Sequence, residues 1–278
     1  MIDLMTTDDF WICRTCGVER SDRPELCPIC ADERQYVVES GQTWTTLAEL
    51  AADGCHVRVD ELEPGLHALR GDPGVGIGQE SKVVVTPHGN LLWDPLGYLD
   101  DEAVEAVRSL GEVVAIAASH PHMFGVQVEW SRRLGGVPVL VAEADASWVG
   151  RPDDVVETWS GTREIVPGLT LHQVGGHFPG SGVVHWAGTA DGKGALLSGD
   201  TVFVNADRKS VTFMRSYPNH LPLSAAVVER IAARLEPLAF DRIYHNFHGR
   251  IAADGHDVLR RSADRYAAWV RGDHDDLT

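Results

Sequence analysis

No stretch of this chain approaches the roughly 20 consecutive apolar residues that a membrane-spanning helix needs. Its opening, Met1-Ile2-Asp3-Leu4, also lacks the basic segment with which a secretory signal begins. The expectation is a cytoplasmic protein without a membrane partner. Lysine is nearly missing, at Lys82, Lys193 and Lys209 only, and no run of Lys and Arg occurs. With 24 basic against 41 acidic side chains the net charge is −17, which opposes attraction to phosphate backbones, so nucleic acid is not an expected partner. Cysteine is scarce as well, and four of the five crowd between residues 13 and 30. The 278 residues, 44% of them hydrophobic, suffice for a real core in one large or two smaller domains.

The cysteines that are present form two C-x-x-C knuckles, Cys13-Arg14-Thr15-Cys16 and Cys27-Pro28-Ile29-Cys30, separated by ten residues. Gaps of two residues make good chelate turns and strained disulfides, so the pattern predicts a four-thiolate metal site. The run Trp11-Ile12-Cys13-x-x-Cys16-Gly17 with Pro24-Glu25-Leu26-Cys27-Pro28-x-Cys30 resembles short rubredoxin-like zinc ribbons. Such knuckles hold zinc structurally or iron for electron transfer, and zinc is the expectation here. A ribbon over residues 1–42 buries little core of its own, so the metal is expected to supply its folding energy, and its surface offers a place for a protein partner. Cys55 reads as a small buried side chain.

From residue 43 the pattern becomes that of a larger α/β domain reaching residue 278. Thr43 to Ala52 reads as a short capped helix. The segment Gly71-Asp72-Pro73-Gly74-Val75-Gly76-Ile77-Gly78 has glycines at the wrong spacing for a dinucleotide loop and is followed by strand, so it reads as a flexible turn. A hairpin over 83–94 ends on Asp94, which is either a turn residue or a group that orients a ligand. Asp100 to Leu110 is a helix with an acidic first turn. It leads into Val113-Val114-Ala115-Ile116-Ala117, an apolar strand that stops at Ser119-His120-Pro121-His122. Further strands end at Gly175-Gly176-His177-Phe178-Pro179-Gly180-Ser181, at Leu197-Ser198-Gly199-Asp200-Thr201, and at His245-Asn246-Phe247-His248-Gly249. Strand ends are where α/β proteins carry their chemistry.

Taken in order, these strand-end motifs resemble the metallo-β-lactamase fold superfamily from about residue 50 to 270. The resemblance implies an α/β, four-layer αβ/βα sandwich with its site at one edge between two sheets. It further implies that His120, His122 and His177 form a metal site, that Asp200 is the adjacent carboxylate, and that His248 is the last ligand, with His245 the weaker choice. The departure comes directly after His122. The family motif continues with an aspartate and a histidine where this chain has Phe124 and Gly125. The second metal position would keep only Asp200 and His248, so one metal is expected in this domain.

A single zinc with an open position suits acyl hydrolysis by zinc-bound hydroxide, with Asp200 as general base or weak ligand, better than two-metal phosphodiester chemistry. The expected activity is therefore hydrolysis of a small ester, thioester, lactone or amide. Val211 to His220 is the expected substrate wall, with Tyr217 among its apolar contacts and Arg215 holding an anionic tail. Two alternatives stand beside this. His120, His177 and Asp200 match a facial triad for non-haem iron, as in the superfamily's sulfur dioxygenases, and a non-catalytic descendant would use the ribbon for partner binding. A homo-oligomer is also compatible with the chain.

Overall fold

A computed structural model describes residues 10–278; the acidic opening Met1-Ile2-Asp3-Leu4 lies outside them. The centre is two β-sheets packed face to face. One has seven strands, in spatial order Val156–Trp159, Val139–Ala142, Val113–Ala117, Asn90–Trp93, Ser81–Val84, Leu66–Asp72 and His56–Glu63. The other has six, in the order Thr162–Val166, Leu169–Gln173, Gly182–Trp186, Ala195–Leu197, Arg242–Tyr244 and Arg250–Ile251. Alternation along each strand divides its side chains between two cores. Ala115 and Ala117 face the inter-sheet layer with Leu91, Trp93, Leu171, Val184 and Leu197, whereas Ile116 and Leu92 face outward.

Each outer face is covered by helices, which gives the four-layer αβ/βα sandwich. Asp101–Ser109 and Gln127–Arg133 bury Val104, Val107 and Trp130 against the first sheet. Asp100 starts the former as expected, its side chain accepting the Ala103 amide at 2.7 Å. On the second sheet, Ala225–Leu235 and Gly255–Arg271 bury Val228, Ile231, Leu259 and Ala263. No helix among the described residues is long and apolar enough to cross a membrane.

The ribbon departs from expectation in two respects. Its small sheet runs Glu19–Arg20, Trp11–Cys13, Trp44–Thr45, so its third strand lies past residue 42. Trp44 and Thr45 favour extended backbone and pair with Cys13 and Ile12, which leaves the following helix to start at Leu47 behind a Thr46 cap. Nor does the ribbon stand alone: Phe10, Ile12, Val18 and Ile29 share one continuous apolar core with Leu96, Tyr98, Met123 and Phe124. The 71–78 turn serves this docking, because a Cβ at Gly76 would meet the Cys16 carbonyl carbon and oxygen at 2.8 Å.

Candidate metal centre

Two of the three histidines, His120 and His177, give one ring nitrogen to an outer neighbour, which fixes the nitrogen each presents inward. The Ser119 hydroxyl lies 2.9 Å from His120 Nδ1. Asp94 holds that corner: its Oδ1 accepts the Ser119 amide at 2.6 Å, from a backbone with φ of 53°. His177 Nδ1 donates to the Met214 carbonyl at 3.1 Å, so its Nε2 is the free nitrogen. His122 brings Nδ1 to within 3.3 Å of His177 Nε2. Asp200 completes the group, with Oδ2 3.5 Å from His120 Nε2 and 3.9 Å from His177 Nε2. Asn246 Nδ2 donates to Asp200 Oδ1 at 3.3 Å, and the Tyr217 hydroxyl donates to the Asp200 carbonyl oxygen at 2.9 Å.

All four side chains are buried, and one donor atom from each lies within 4.8 Å of the others. Protein contacts alone do not satisfy them. His120 Nε2 and His122 Nε2 are inaccessible to solvent and have no hydrogen-bond partner. Either tautomer of His122 leaves one of its buried nitrogens bare, a cost that a shared cation removes. The separations fit as well, since donors about 2.1 Å from a tetrahedral metal stand roughly 3.4 Å apart. Burial pushes His122 well below the ordinary imidazole range, with the neighbouring His120 and His177 adding to it, and takes His177 down to about 3. Asp200 is held below the usual carboxylate range: burial raises it, but the contacts with His120 and His177 outweigh that. Neutral imidazoles and an ionised carboxylate are the protonation states a metal requires.

The ribbon offers a second such group. Cys13 Sγ lies 3.7 Å from Cys30 Sγ and Cys16 Sγ 3.9 Å from Cys27 Sγ, with no disulfide. Thiolates about 2.3 Å from a tetrahedral metal are separated by roughly 3.8 Å. Gln42 donates to Cys13 Sγ at 3.2 Å and accepts the Cys27 amide at 3.0 Å, bracing both knuckles.

His248 does not join the centre. The strand ends at Tyr244, and the next two residues, His245 and Asn246, turn inward, so that by His248 the chain has reached the surface. His248 is 77% exposed and faces Glu80 at 3.6 Å. His245 is the buried histidine of this segment; burial lowers it to about 4 and Asp200 opposes the shift, but it stays outside the four-residue group. Arg215 is not among the residues that line the cavity beside the centre, and its guanidinium pairs with Glu33 of the ribbon at 2.5 Å. Tyr217 does line the cavity above the centre.

That cavity, of about 370 Å³, has His122, His177 and Asp200 as its floor. Phe203, Tyr217, Phe247 and Ile77 supply apolar wall, and Arg34, Gln35 and Tyr36 close it from the ribbon side. These last three carry no motif in the sequence; what marks them is only their place on the link between ribbon and domain.

The lost second-metal positions have a structural reason. Phe124 is buried in the core shared with the ribbon. Gly125 has φ of 51°, and a Cβ there would lie 2.1 Å from the Pro95 carbonyl oxygen. Its own carbonyl accepts the Glu19 amide of the ribbon at 3.0 Å. The two positions at which the resemblance leads one to expect an aspartate and a histidine thus serve to seat the ribbon.

This arrangement of sheets, helices and strand-end ligands is the metallo-β-lactamase fold, here carrying an N-terminal four-cysteine ribbon. The chain is 42% identical over 262 residues to the uncharacterized protein YmaE of Bacillus subtilis (strain 168), spanning 92% of this chain and 95% of that one, and it belongs to the same family. No protein-family model matches. Among solved structures, the DIM-1 metallo-β-lactamase superposes with a TM-score of 0.55 at 13% identity, over 77% of this chain and 98% of that one. The Flv1 flavodiiron core from Synechocystis sp. PCC6803 superposes with a TM-score of 0.52 at 12% identity, over 77% and 61%. Both show the fold.

Proposed function

We propose that this protein is a metal-dependent hydrolase, acting with one ion on a small ester, thioester, lactone or amide. The observation that carries the reading is the convergence of His120, His122, His177 and Asp200 on the floor of a partly apolar cavity. When bound, a zinc ion at such a centre supplies a Lewis acid and brings the pKa of a water molecule toward neutrality. The protein's own part is threefold. Ser119 and the Met214 carbonyl orient His120 and His177, so that their free nitrogens are presented without a search. Asp200, ionised and braced by Asn246, accepts a proton from water or lends a fourth donor. Tyr217, Phe203 and Phe247 shield the acyl group from bulk water.

The missing second ligand set argues against two-metal phosphodiester chemistry. Non-haem iron at the same centre is the alternative, since two histidines and a carboxylate serve it too, and metal analysis separates the two. We place the protein in the cytoplasm, where reduced thiols suit the ribbon's zinc.

The test is a panel of aryl esters and acyl thioesters assayed on the purified, metal-replete protein. Wild type should turn over at least one class, and His120→Ala should lower the rate by about a hundredfold or more with an unchanged circular dichroism spectrum. Turnover unaffected by His120→Ala would contradict the reading.

A further inference from the structure

The wall that the ribbon contributes holds a cation whose one close charge partner is Asp32. Arg34 is 8% exposed and lines the cavity, yet its guanidinium makes no hydrogen bond. Nε and Nη1 are wholly enclosed and make no hydrogen bond. Two carboxylates lie nearby. Asp32 Oδ1 is 3.1 Å from Nη1 but accepts the Arg34 backbone amide at 3.0 Å rather than a guanidinium hydrogen. Asp145 is committed through Oδ1 to the Gly180 amide at 2.9 Å. The other arginine near this wall, Arg215, adds positive charge and is itself neutralised by Glu33.

The guanidinium is also held still. Its central carbon sits 4.0 Å from the centroid of the Phe178 ring, a cation–π contact that fixes its position. The same ring touches the candidate centre: Phe178 lies 4.9 Å from the His122 ring and 5.2 Å from that of His177. One aromatic ring therefore contacts both the cation and the imidazoles, and all of them border one cavity. A small molecule whose acyl carbon reaches the centre can place a second group on Arg34 while filling the apolar space beside Phe203 and Tyr217. Gln35 adds a side-chain oxygen that is buried and without a partner on the same wall.

We propose that Arg34 is the anion-binding residue of the pocket, and that the substrate is an acyl compound combining an apolar body with a carboxylate or phosphate group. A planar guanidinium already desolvated and held on an aromatic ring binds an oxyanion without first losing a hydration shell or rotamer freedom. The proposal places in the ribbon a specificity that the sequence reading gave to Arg215. It rests on the hydrolase reading for the site's role, and its binding test stands apart from that reading.

The test is titration calorimetry with benzoate and, separately, inorganic phosphate, on the full chain carrying His120→Ala so that the metal centre does not compete for the anion. At least one probe should bind, and adding Arg34→Met should weaken it by about tenfold or more, whereas adding Arg215→Met should leave it unchanged. Preference for benzoate assigns a carboxylate substrate, and preference for phosphate a phosphorylated one. Should Arg34→Met lose the ribbon's metal or its fold, Arg34→Lys replaces it and should bind measurably more weakly while folding normally. No binding of either probe, or binding indifferent to both Arg34 variants, would overturn the proposal. With the metal-replete protein, Arg34→Met should raise the KM for 4-acetoxybenzoate about tenfold more than it raises that for phenyl acetate. If neither ester is cleaved while a probe still depends on Arg34, the hydrolase reading fails and the anion site stands.

Discussion

Residue by residue, the centre is built by making each ligand's alternatives expensive. Desolvation keeps His122 and His177 neutral, and the Nδ1 bonds to the Ser119 oxygen and the Met214 carbonyl decide which nitrogen of His120 and His177 is offered. The cost of this appears as pH falls. Because the folded His177 titrates at about 3, well below an unfolded histidine, the unfolded chain takes up its proton first and folding loses stability as pH drops below about 6.5. His177→Asn should abolish that contribution. In protein whose histidine centre is metal-free, the wild-type advantage in denaturation midpoint over His177→Asn should shrink between pH 7 and pH 5, by up to roughly 2 kcal/mol. A constant difference would mean that His177 titrates normally. Residue patterns also show where reading the chain succeeded and where it did not. His120, His122, His177 and Asp200 were legible because each stands at the end of an apolar strand. His248 was misjudged because His245 and Asn246 fill the inward places after their strand, and which residue of a strand-end loop turns inward depends on the loop's tertiary path. Arg34 was invisible, since its meaning comes from Phe178, 144 positions away by subtraction of the two residue numbers.

Among the elements, the turn after His122 is the one that sets this chain apart. It bears the first ligands and also the ribbon's seat, through the Glu19 amide on Gly125 and the Glu19 carboxylate on the Val128 amide at 2.6 Å. Arg151, buried between Glu19 at 2.7 Å and Glu129 at 3.3 Å, completes the joint. Glu19→Ala leaves that arginine short of a partner and the Val128 amide bare, and should destabilise the protein by about 3–5 kcal/mol in chemical denaturation. A change below about 1 kcal/mol would show that the joint contributes little. Restoring the family's histidine with Gly125→His should not create a second metal site. The Cβ clash with the Pro95 carbonyl should instead lower the thermal midpoint and leave metal content unraised. The helix and strand pattern was largely legible because periodicity reports it, as in the capped Asp101–Ser109 helix and the Val113–Ala117 strand. The 71–78 segment read as a turn, but the role of Gly76 in it was not legible, because that glycine answers to the Cys16 backbone across the ribbon interface rather than to any local motif.

At the scale of the whole molecule, ribbon and sandwich share one core, and the ribbon supplies a wall of the cavity above the candidate centre. The four-layer fold followed from the order of strand-end motifs, whereas the placement of the ribbon is a tertiary fact that no stretch of chain encodes by itself. Loss of the ribbon's metal should therefore be felt in the pocket: Cys13→Ser/Cys16→Ser should raise KM as well as lower stability, and a selective rise in KM is the signature of a disturbed wall. The most direct test of the account is metal content by elemental analysis, on protein purified without added metal, for wild type, Cys13→Ser/Cys16→Ser and His120→Ala. Two ions per chain, one lost with each variant, is the predicted result. Metal confined to the ribbon and unaffected by His120→Ala would contradict it.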